Sequence, residues 1–212
     1  MKEKIKLIYR FIIVIVASIA LYLNFKFLTF EKGILYFTNI SNLLCLIYFT
    51  VLIVLTLTNK VKRNDIYYIF KGMVTMAITL TMVVYNVILS SNSGMSAFEG
   101  HMLECNLVHL AVPTLVILDY IIFGKKGNLK KEYPIIWSTV LILYQIFVII
   151  YVSLGGTFMN GDTIPYFYMD INKFGIIGVT INLLVLFIVY IGYGYLIVFL
   201  DNLIGKNNKK EI

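Results

Sequence analysis

Six long apolar runs constrain this chain more than any other feature. They cover approximately residues 8–28, 37–58, 67–90, 102–123, 134–154 and 174–200. As a helix, each run is long enough to cross about 30 Å of hydrocarbon. None alternates polar and apolar residues as membrane barrel strands do, and backbone in lipid must satisfy its own hydrogen bonds. The sequence therefore predicts an all-α polytopic integral membrane protein with six transmembrane helices.

Composition agrees with the membrane class. Hydrophobic residues make up 60% of the 212 residues and charged residues only 14%. A water-soluble domain of this length could not bury so many apolar residues away from its surface. No linker separates the runs, so we expect a single six-helix transmembrane domain over residues 1–212. The basic start followed by Ser18-Ile19-Ala20 resembles a signal peptide. Because the apolar run continues to Leu28, we expect no cleavage there.

The lysines and arginines predict the orientation. Fifteen of the eighteen flank one side of the predicted spans, namely Lys2, Lys4, Lys6, Arg10, Lys60, Lys62, Arg63, Lys71, Lys125, Lys126, Lys130, Lys131, Lys206, Lys209 and Lys210. The other side has Lys26, Lys32 and Lys173, together with Glu31, Glu99, Glu104, Asp162 and Asp170. The positive-inside rule then places both termini in the cytoplasm.

The net charge of +7 is explained mainly by this topology. The basic residues are divided among four membrane-flanking segments and do not form one face, so we expect no nucleic-acid partner. Cys45 and Cys105 have no metal-site spacing and are read as packing residues. We expect neither a metal nor a cofactor.

Polar residues inside the spans concentrate in the predicted outer half or near the middle. They are Thr38, Asn39, Ser41, Asn42, Tyr85, Asn86, Cys105, Asn106, His109, Gln145 and Asn182. Polar groups in hydrocarbon are costly unless they are paired or hydrated, so the clustering indicates a polar pocket open to the outer face or outer leaflet. Interhelical hydrogen bonding that only holds the helices together is the alternative.

His109 is the most informative single residue of this set. An imidazole exchanges protons near neutral pH, although a buried histidine can also be purely structural. Asn106 and Cys105 share its helix face, three and four residues earlier. Pro113, four residues later, leaves a carbonyl without its helical partner and can kink the helix.

Thr38 stands where the second helix begins, in the segment Tyr36-Phe37-Thr38-Asn39-Ile40-Ser41-Asn42. One interpretation is a helix N-cap, with Ser41 and Asn42 meeting further free donors. The other is a nucleophile, since free N–H groups at a helix start can stabilise an oxyanion and Asn42 can add a donor. Spacing alone does not decide between them.

Three segments carry a resemblance to a known family: residues 35–43 around Thr38, residues 109–119 from His109 through Pro113 to Asp119, and residues 164–170. In this order they resemble the bacterial six-span branch related to the androgen-induced membrane hydrolases. The resemblance implies hydrolysis of fatty acid esters of hydroxy fatty acids, with Thr38 as nucleophile and His109 as base. It also implies a lipid or long-chain ester as substrate, membrane lipids as partners and a multi-pass location in a bacterial plasma membrane.

The remaining site predictions follow from this hypothesis. Asn39, Asn42, Asn106 and Asn182 are candidates for binding the substrate or the oxyanion. No acidic residue that could orient the His109 imidazole is apparent. Asp119 lies ~15 Å beyond His109 along the helix, which is too far. The connection with Gly155, Gly156, Gly161 and Pro165 is a candidate lid. A transporter or binding protein without catalysis is the alternative function, and the sequence does not indicate the oligomeric state.

Overall fold

The computed structural model describes residues 2–89 and 103–210, with side chains described through Lys206. It contains six helices long and apolar enough to span a membrane, which we number as spans 1 to 6: Lys2–Leu28, Phe37–Leu57, Asp65–Leu89, Leu103–Phe123, Tyr133–Ser153 and Ile171–Lys206. The described residues form no β-strand. The chain is therefore an all-α, multi-pass membrane protein, as its apolar runs predict.

The predicted boundaries agree closely with the observed ones, except at the two ends of the chain. Residues 90 and 102, which bound the predicted third and fourth spans, and Glu99 between them lie outside the described residues. Span 1 begins at Lys2, because the charged residues before the apolar run are also helical. The last helix continues to Lys210, beyond the apolar run.

Spans 3 and 4 each contain a π-helical segment. In span 3 an α-helix, Asp65–Val83, continues as a π-helix over Val84–Leu89. In span 4 a π-helix, Leu107–Ala111, separates the α-helices Leu103–Asn106 and Val112–Phe123. π-helical turns are rare and frequently occur at functional sites.

The chain separates into two compact units, Met1–Lys125 and Lys126–Ile212. In the first unit, span 1 packs against spans 2 and 4, and span 3 packs against the same two spans. Its apolar core is built on all four spans, with Ala17 and Ala20 of span 1 fully buried. Such small residues allow helices to approach closely in a membrane.

In the second unit, span 5 packs against span 6. The Asp201 carboxylate accepts hydrogen bonds from the backbone N–H groups of Gly127, Asn128 and Leu129 at 2.8, 3.1 and 3.3 Å. Gly127 has a φ of 77° and packs directly on the backbone of Gly205, so a side chain at either position has no room. The single six-helix domain stays a prediction.

The outward faces of the spans are apolar. In the first unit Ile8, Ile15 and Ile47 are more than half exposed, and in the second Ile176, Ile177 and Ile188 are also largely exposed. Large exposed apolar surfaces are uncommon on water-soluble proteins. Such surfaces are suited to contact with lipid in a protein that spans a membrane.

Candidate active site

Span 2 begins beside the last turn of span 1 and not level with its end. This offset places Thr38, near the start of span 2, close to His109. A short helix, Phe30–Gly33, follows span 1 and turns back onto it, so that Gly33 packs against the Phe25 ring. Asn39 donates hydrogen bonds to Asn24 Oδ1 of span 1 at 2.8 Å and to the Gly33 carbonyl at 3.0 Å. Asn24 lies four residues before the end of span 1, so span 2 begins roughly 6 Å below that end.

Thr38 and His109 are in direct contact. Thr38 Oγ1 lies 3.2 Å from His109 Nε2, which is hydrogen-bond distance for a nucleophile and its base. His109 is in the second turn of span 4. Thr38 lies level with it because span 2 begins about one helical turn before the end of span 1. Both residues are half-buried.

The other nitrogen of the imidazole is held by the backbone. His109 Nδ1 lies 2.9 Å from the Cys105 carbonyl oxygen. A carbonyl only accepts hydrogen bonds, so Nδ1 carries the proton and Nε2 presents its lone pair to the Thr38 hydroxyl. The orienting group is therefore a main-chain carbonyl one helical turn earlier, which no search for an acidic residue could find.

An aromatic ring fixes the plane of the imidazole. Tyr85 stacks on His109 with ring centroids 3.7 Å apart and an interplanar angle of 16°. The Tyr85 hydroxyl accepts a hydrogen bond from Cys105 Sγ at 2.9 Å, and that sulfur also lies 3.4 Å from His109 Nδ1. Tyr85, Cys105 and His109 thus restrain one another.

The π-helical segment around His109 ends two residues before Pro113. Proline has no N–H, so the carbonyl that would accept from residue 113 is left over: that of His109 in an α register, or of Val108 in a π register. Asn42 donates to the Val108 carbonyl at 3.0 Å, and Asn86 donates to the His109 carbonyl at 3.2 Å. The carbonyl predicted to lose its partner is therefore satisfied by a neighbouring span.

The capping interpretation of Thr38 is wrong. Span 2 begins at Phe37 with Tyr36 as its N-cap, in extended conformation and with no side-chain cap bond. Ser41 and Asn42 also bond differently from the prediction, because both donate to the Thr38 carbonyl, at 2.9 and 2.8 Å. The Thr38 hydroxyl is therefore directed to His109 and does not cap the helix.

The four predicted asparagines have different environments. Asn39 and Asn42 are buried, and each amide group already donates two hydrogen bonds, so an oxyanion contact at either one requires breaking a bond. Asn106 is half-buried, three residues before His109. Asn182 belongs to the second unit, where it donates to the Tyr168 carbonyl at 3.0 Å.

Other polar residues have structural partners. Ser41 bonds Thr81 of span 3 at 2.7 Å, a partner that the sequence analysis missed. The Asp170 carboxylate accepts hydrogen bonds from the backbone N–H groups of Asn172 and Lys173 at the start of span 6. The predicted lid connection contains two 3₁₀ turns, Met159–Gly161 and Phe167–Met169, and its lid role stays a prediction.

Asp119 is engaged far from the imidazole. Its two carboxylate oxygens bond Arg10 Nε and Lys71 Nζ, each at 3.0 Å. This agrees with the prediction that Asp119 does not orient His109. In the sequence, Arg10 and Lys71 served only to predict the topology. Their burial was not predicted. Among the described residues, no group of three or more His, Cys, Asp or Glu side chains is placed to hold a metal ion.

Comparisons with protein-family models, with curated proteins and with solved structures find no match to this chain. The interpretation of the site therefore depends on its geometry.

Proposed function

We propose that this protein is a membrane-embedded hydrolase of long-chain lipid esters, with Thr38 as nucleophile and His109 as general base. The observation that carries the proposal is the 3.2 Å contact between Thr38 Oγ1 and His109 Nε2. A threonine hydroxyl needs a base to remove its proton before it attacks. The Cys105 carbonyl on Nδ1 supports this role because it selects the tautomer in which Nε2 accepts a proton.

The proposed reaction is acyl transfer in two steps. His109 Nε2 takes the Thr38 proton as Oγ1 bonds to the ester carbonyl carbon, and the imidazolium then protonates the departing alcohol. In the second step the imidazole removes a proton from water, hydroxide attacks the acyl-threonine, and the acid leaves as Thr38 regains its proton. Protonation of His109 at low pH removes the acceptor and blocks the first step.

The oxyanion needs donors that are free in the resting site. Thr38 is the second residue of its helix, where a backbone N–H has no intrahelical acceptor. The next two N–H groups, of Asn39 and Ile40, already donate to the Tyr36 carbonyl at 3.1 Å. The Thr38 N–H is therefore a better candidate than the side chains of Asn39 and Asn42, whose donors are occupied. Asn106 remains a candidate for contact with the substrate.

The position of the pair supports a long-chain substrate. Thr38 and His109 are half-buried, in spans whose exposed side chains are largely apolar, and a long acyl chain suits such surroundings. Fatty acid esters of hydroxy fatty acids, as implied by the family resemblance, fit this description. We place the protein in a cell membrane, with its substrates among the membrane lipids.

The test is turnover of a long-chain ester by purified protein in detergent. Thr38→Val and His109→Ala should each lower the rate by roughly two to four orders of magnitude, the usual contribution of a positioned base. Thr38→Ser should keep measurable activity, because serine retains the hydroxyl. Thr50→Val is the matched control, since Thr50 is an exposed threonine on the same span that bonds only its own helix, at the Leu46 carbonyl.

A folded Thr38→Val or His109→Ala variant with wild-type turnover would exclude the pair as the catalytic centre. Loss of activity in Thr50→Val as well would point to a general effect of substitutions in span 2. Thermal unfolding of each variant separates these results from misfolding.

Transport or binding without catalysis is the second candidate. The observation that favours it is the buried charged cluster of Arg10, Lys71 and Asp119, since ionisable residues within spans frequently mark pathways. Retention of a long-chain ester by the protein, with no hydrolysis by the wild type, would support this alternative.

A further inference from the structure

The second polar feature of the first unit is a cluster of buried charges, well separated from Thr38. Arg10 of span 1 and Lys71 of span 3 share the carboxylate of Asp119 in span 4. The exposed fractions are 2% for Arg10, 4% for Lys71 and 0% for Asp119. All three charges are therefore removed from solvent.

The cluster has one more positive charge than negative charge. Burying a charge without a partner is costly, and two cations on one carboxylate leave a cation only partly compensated. The guanidinium shows this directly, because Arg10 Nη2 is buried and has no hydrogen-bond partner among the described residues. A guanidinium has five N–H donors, so Arg10 retains the capacity to bind a further acceptor.

Arg10 also lines a cavity that has additional positive charge. The cavity is about 210 Å³ and is bordered by Glu3, Lys6, Arg10, Thr56, Asn59, Val61, Arg63 and Tyr67. Three of these residues are cations and one is an anion. The anion, Glu3, is largely exposed and lies 3.4 Å from Lys6.

The volume of the cavity limits what can occupy it. It is larger than a few waters need, at roughly 30 Å³ each. It is also smaller than a typical pocket for a drug-sized ligand, at roughly 300–1,000 Å³. A phosphate-bearing group of the size of a lipid head group is compatible with both limits.

The cavity lies at the opposite end of span 2 from the candidate active site. Thr56 follows Thr38 by eighteen residues, which corresponds to roughly 27 Å along a helix. The charge distribution predicts that this end faces the cytoplasm, where anionic lipids give the membrane surface a negative potential. Arginine and lysine together are the usual means of binding phosphate.

We propose that Arg10, Lys6 and Arg63 form a binding site for a phosphate group, supplied by an anionic phospholipid head group or by soluble phosphate. Arg10 is held in place by Asp119, lines the cavity and has Nη2 donors without a partner among the described residues. Lys6 and Arg63, which also line the cavity, add positive charge that compensates the negative charge of the phosphate. This site is independent of the proposed ester hydrolysis.

The test measures thermal unfolding of the purified full-length protein in detergent. Phosphatidylglycerol is added in one arm, phosphatidylcholine in a second and inorganic phosphate in a third, with potassium chloride at matched ionic strength as reference. Phosphatidylglycerol should raise the unfolding temperature more than phosphatidylcholine does. Arg63→Gln should need several-fold more of the lipid for the same rise, and Lys6→Gln with Arg63→Gln should remove most of the effect.

Lys62→Gln is the matched control, because Lys62 is exposed on the same connection and does not line the cavity. It should respond as the wild type does. A rise with inorganic phosphate above the chloride reference, lost in Arg63→Gln, would support the site with soluble phosphate as its source. The proposal is overturned if none of the phosphate compounds exceeds its reference, or if Lys62→Gln loses as much of the effect as Arg63→Gln. Arg10 is left intact in every variant because its replacement would also leave Asp119 without one of its partners.

Discussion

At the residue scale, the site depends on how the two nitrogens of one imidazole are used. Nδ1 is held by the Cys105 carbonyl and Nε2 lies against Thr38. The same arrangement of a nucleophile, a base and a group that orients the base recurs on unrelated folds, although the orienting group is usually a carboxylate. A backbone carbonyl fixes the tautomer equally well but places no negative charge beside the imidazolium of the proposed reaction.

Residues that act as one catalytic unit have strongly non-additive effects. We therefore expect the double variant Thr38→Val with His109→Ala to hydrolyse a long-chain ester about as slowly as either single variant. Independent contributions would instead multiply the two rate losses. The measurement is kcat/KM for all four proteins under the same conditions, and multiplied losses would contradict the proposed pair.

The residues of this site could be named from the sequence, but their contacts could not. Thr38 and His109 stand out as a hydroxyl and an imidazole among apolar residues. Their contact depends on where span 2 begins relative to span 1. That position is held by the hydrogen bond from Asn39 to Asn24 and by the packing of Gly33 on Phe25. Those are tertiary contacts, and local spacing carries no information about them.

At the element scale, the two π-helical segments place the site residues. Val84–Leu89 contains Tyr85 and Asn86, and Leu107–Ala111 contains His109. The proline that ends the normal hydrogen-bonding pattern of span 4 is visible in the sequence. The use of Asn42 and Asn86 as replacement donors is not, because it depends on which helix faces neighbour each other.

Pro113→Ala tests the role of this segment. Alanine restores the N–H at position 113, which can then bond the Val108 or His109 carbonyl in competition with Asn42 and Asn86. We expect unchanged or increased thermal stability together with a clear fall in ester turnover, because the imidazole is re-aimed relative to Thr38. Wild-type turnover with wild-type stability would show that the π-helical turn does not position His109.

Asn42→Leu tests the bonds between spans. It removes the donor to the Val108 carbonyl, and a buried carbonyl left without a partner typically costs about 1–3 kcal/mol. We expect a loss of stability in that range, measured by reversible unfolding in detergent. Thr50→Val, which alters no contact between spans, should be nearly neutral, and an equal loss in both variants would contradict the explanation.

At the scale of the whole molecule, six apolar runs were sufficient to predict an all-α membrane protein with nearly correct span boundaries. The length of each apolar run is set by the thickness of the bilayer, so the spans can be predicted from the sequence. The burial of the charged residues could not be predicted in this way. Arg10 and Lys71 satisfy the positive-inside pattern whether they face water or, as here, a carboxylate on another span.

Orientation is tested by labelling single cysteines in intact cells, in a background where Cys45 and Cys105 are replaced. The predicted topology places the connection after span 4 in the cytoplasm and the connection after span 5 outside. Lys130→Cys should therefore be protected from a membrane-impermeant reagent, and Thr163→Cys should be labelled. The opposite pattern would invert the topology and turn the Thr38 end of span 2 toward the cytoplasm.

The charged cluster predicts unequal effects for its members. Asp119→Leu leaves two buried cations without an anion and should destabilise the protein by roughly 3–5 kcal/mol, as expected for a broken buried ion pair. Lys71→Leu leaves Arg10 and Asp119 as a balanced pair and should cost much less. Unfolding measurements in the same detergent compare the two, and equal losses would contradict the proposed charge imbalance.

A chemical probe can identify the residue that forms the proposed covalent intermediate. A long-chain fluorophosphonate transfers its phosphonyl group to an activated hydroxyl with loss of fluoride, so peptide mass spectrometry can locate the modified residue. Thr38 should be modified in the wild type and unmodified in His109→Ala, although that variant keeps the threonine. An enzyme that hydrolyses the ester while the probe modifies another residue, or one whose Thr38 is modified equally without His109, would contradict the proposed pair.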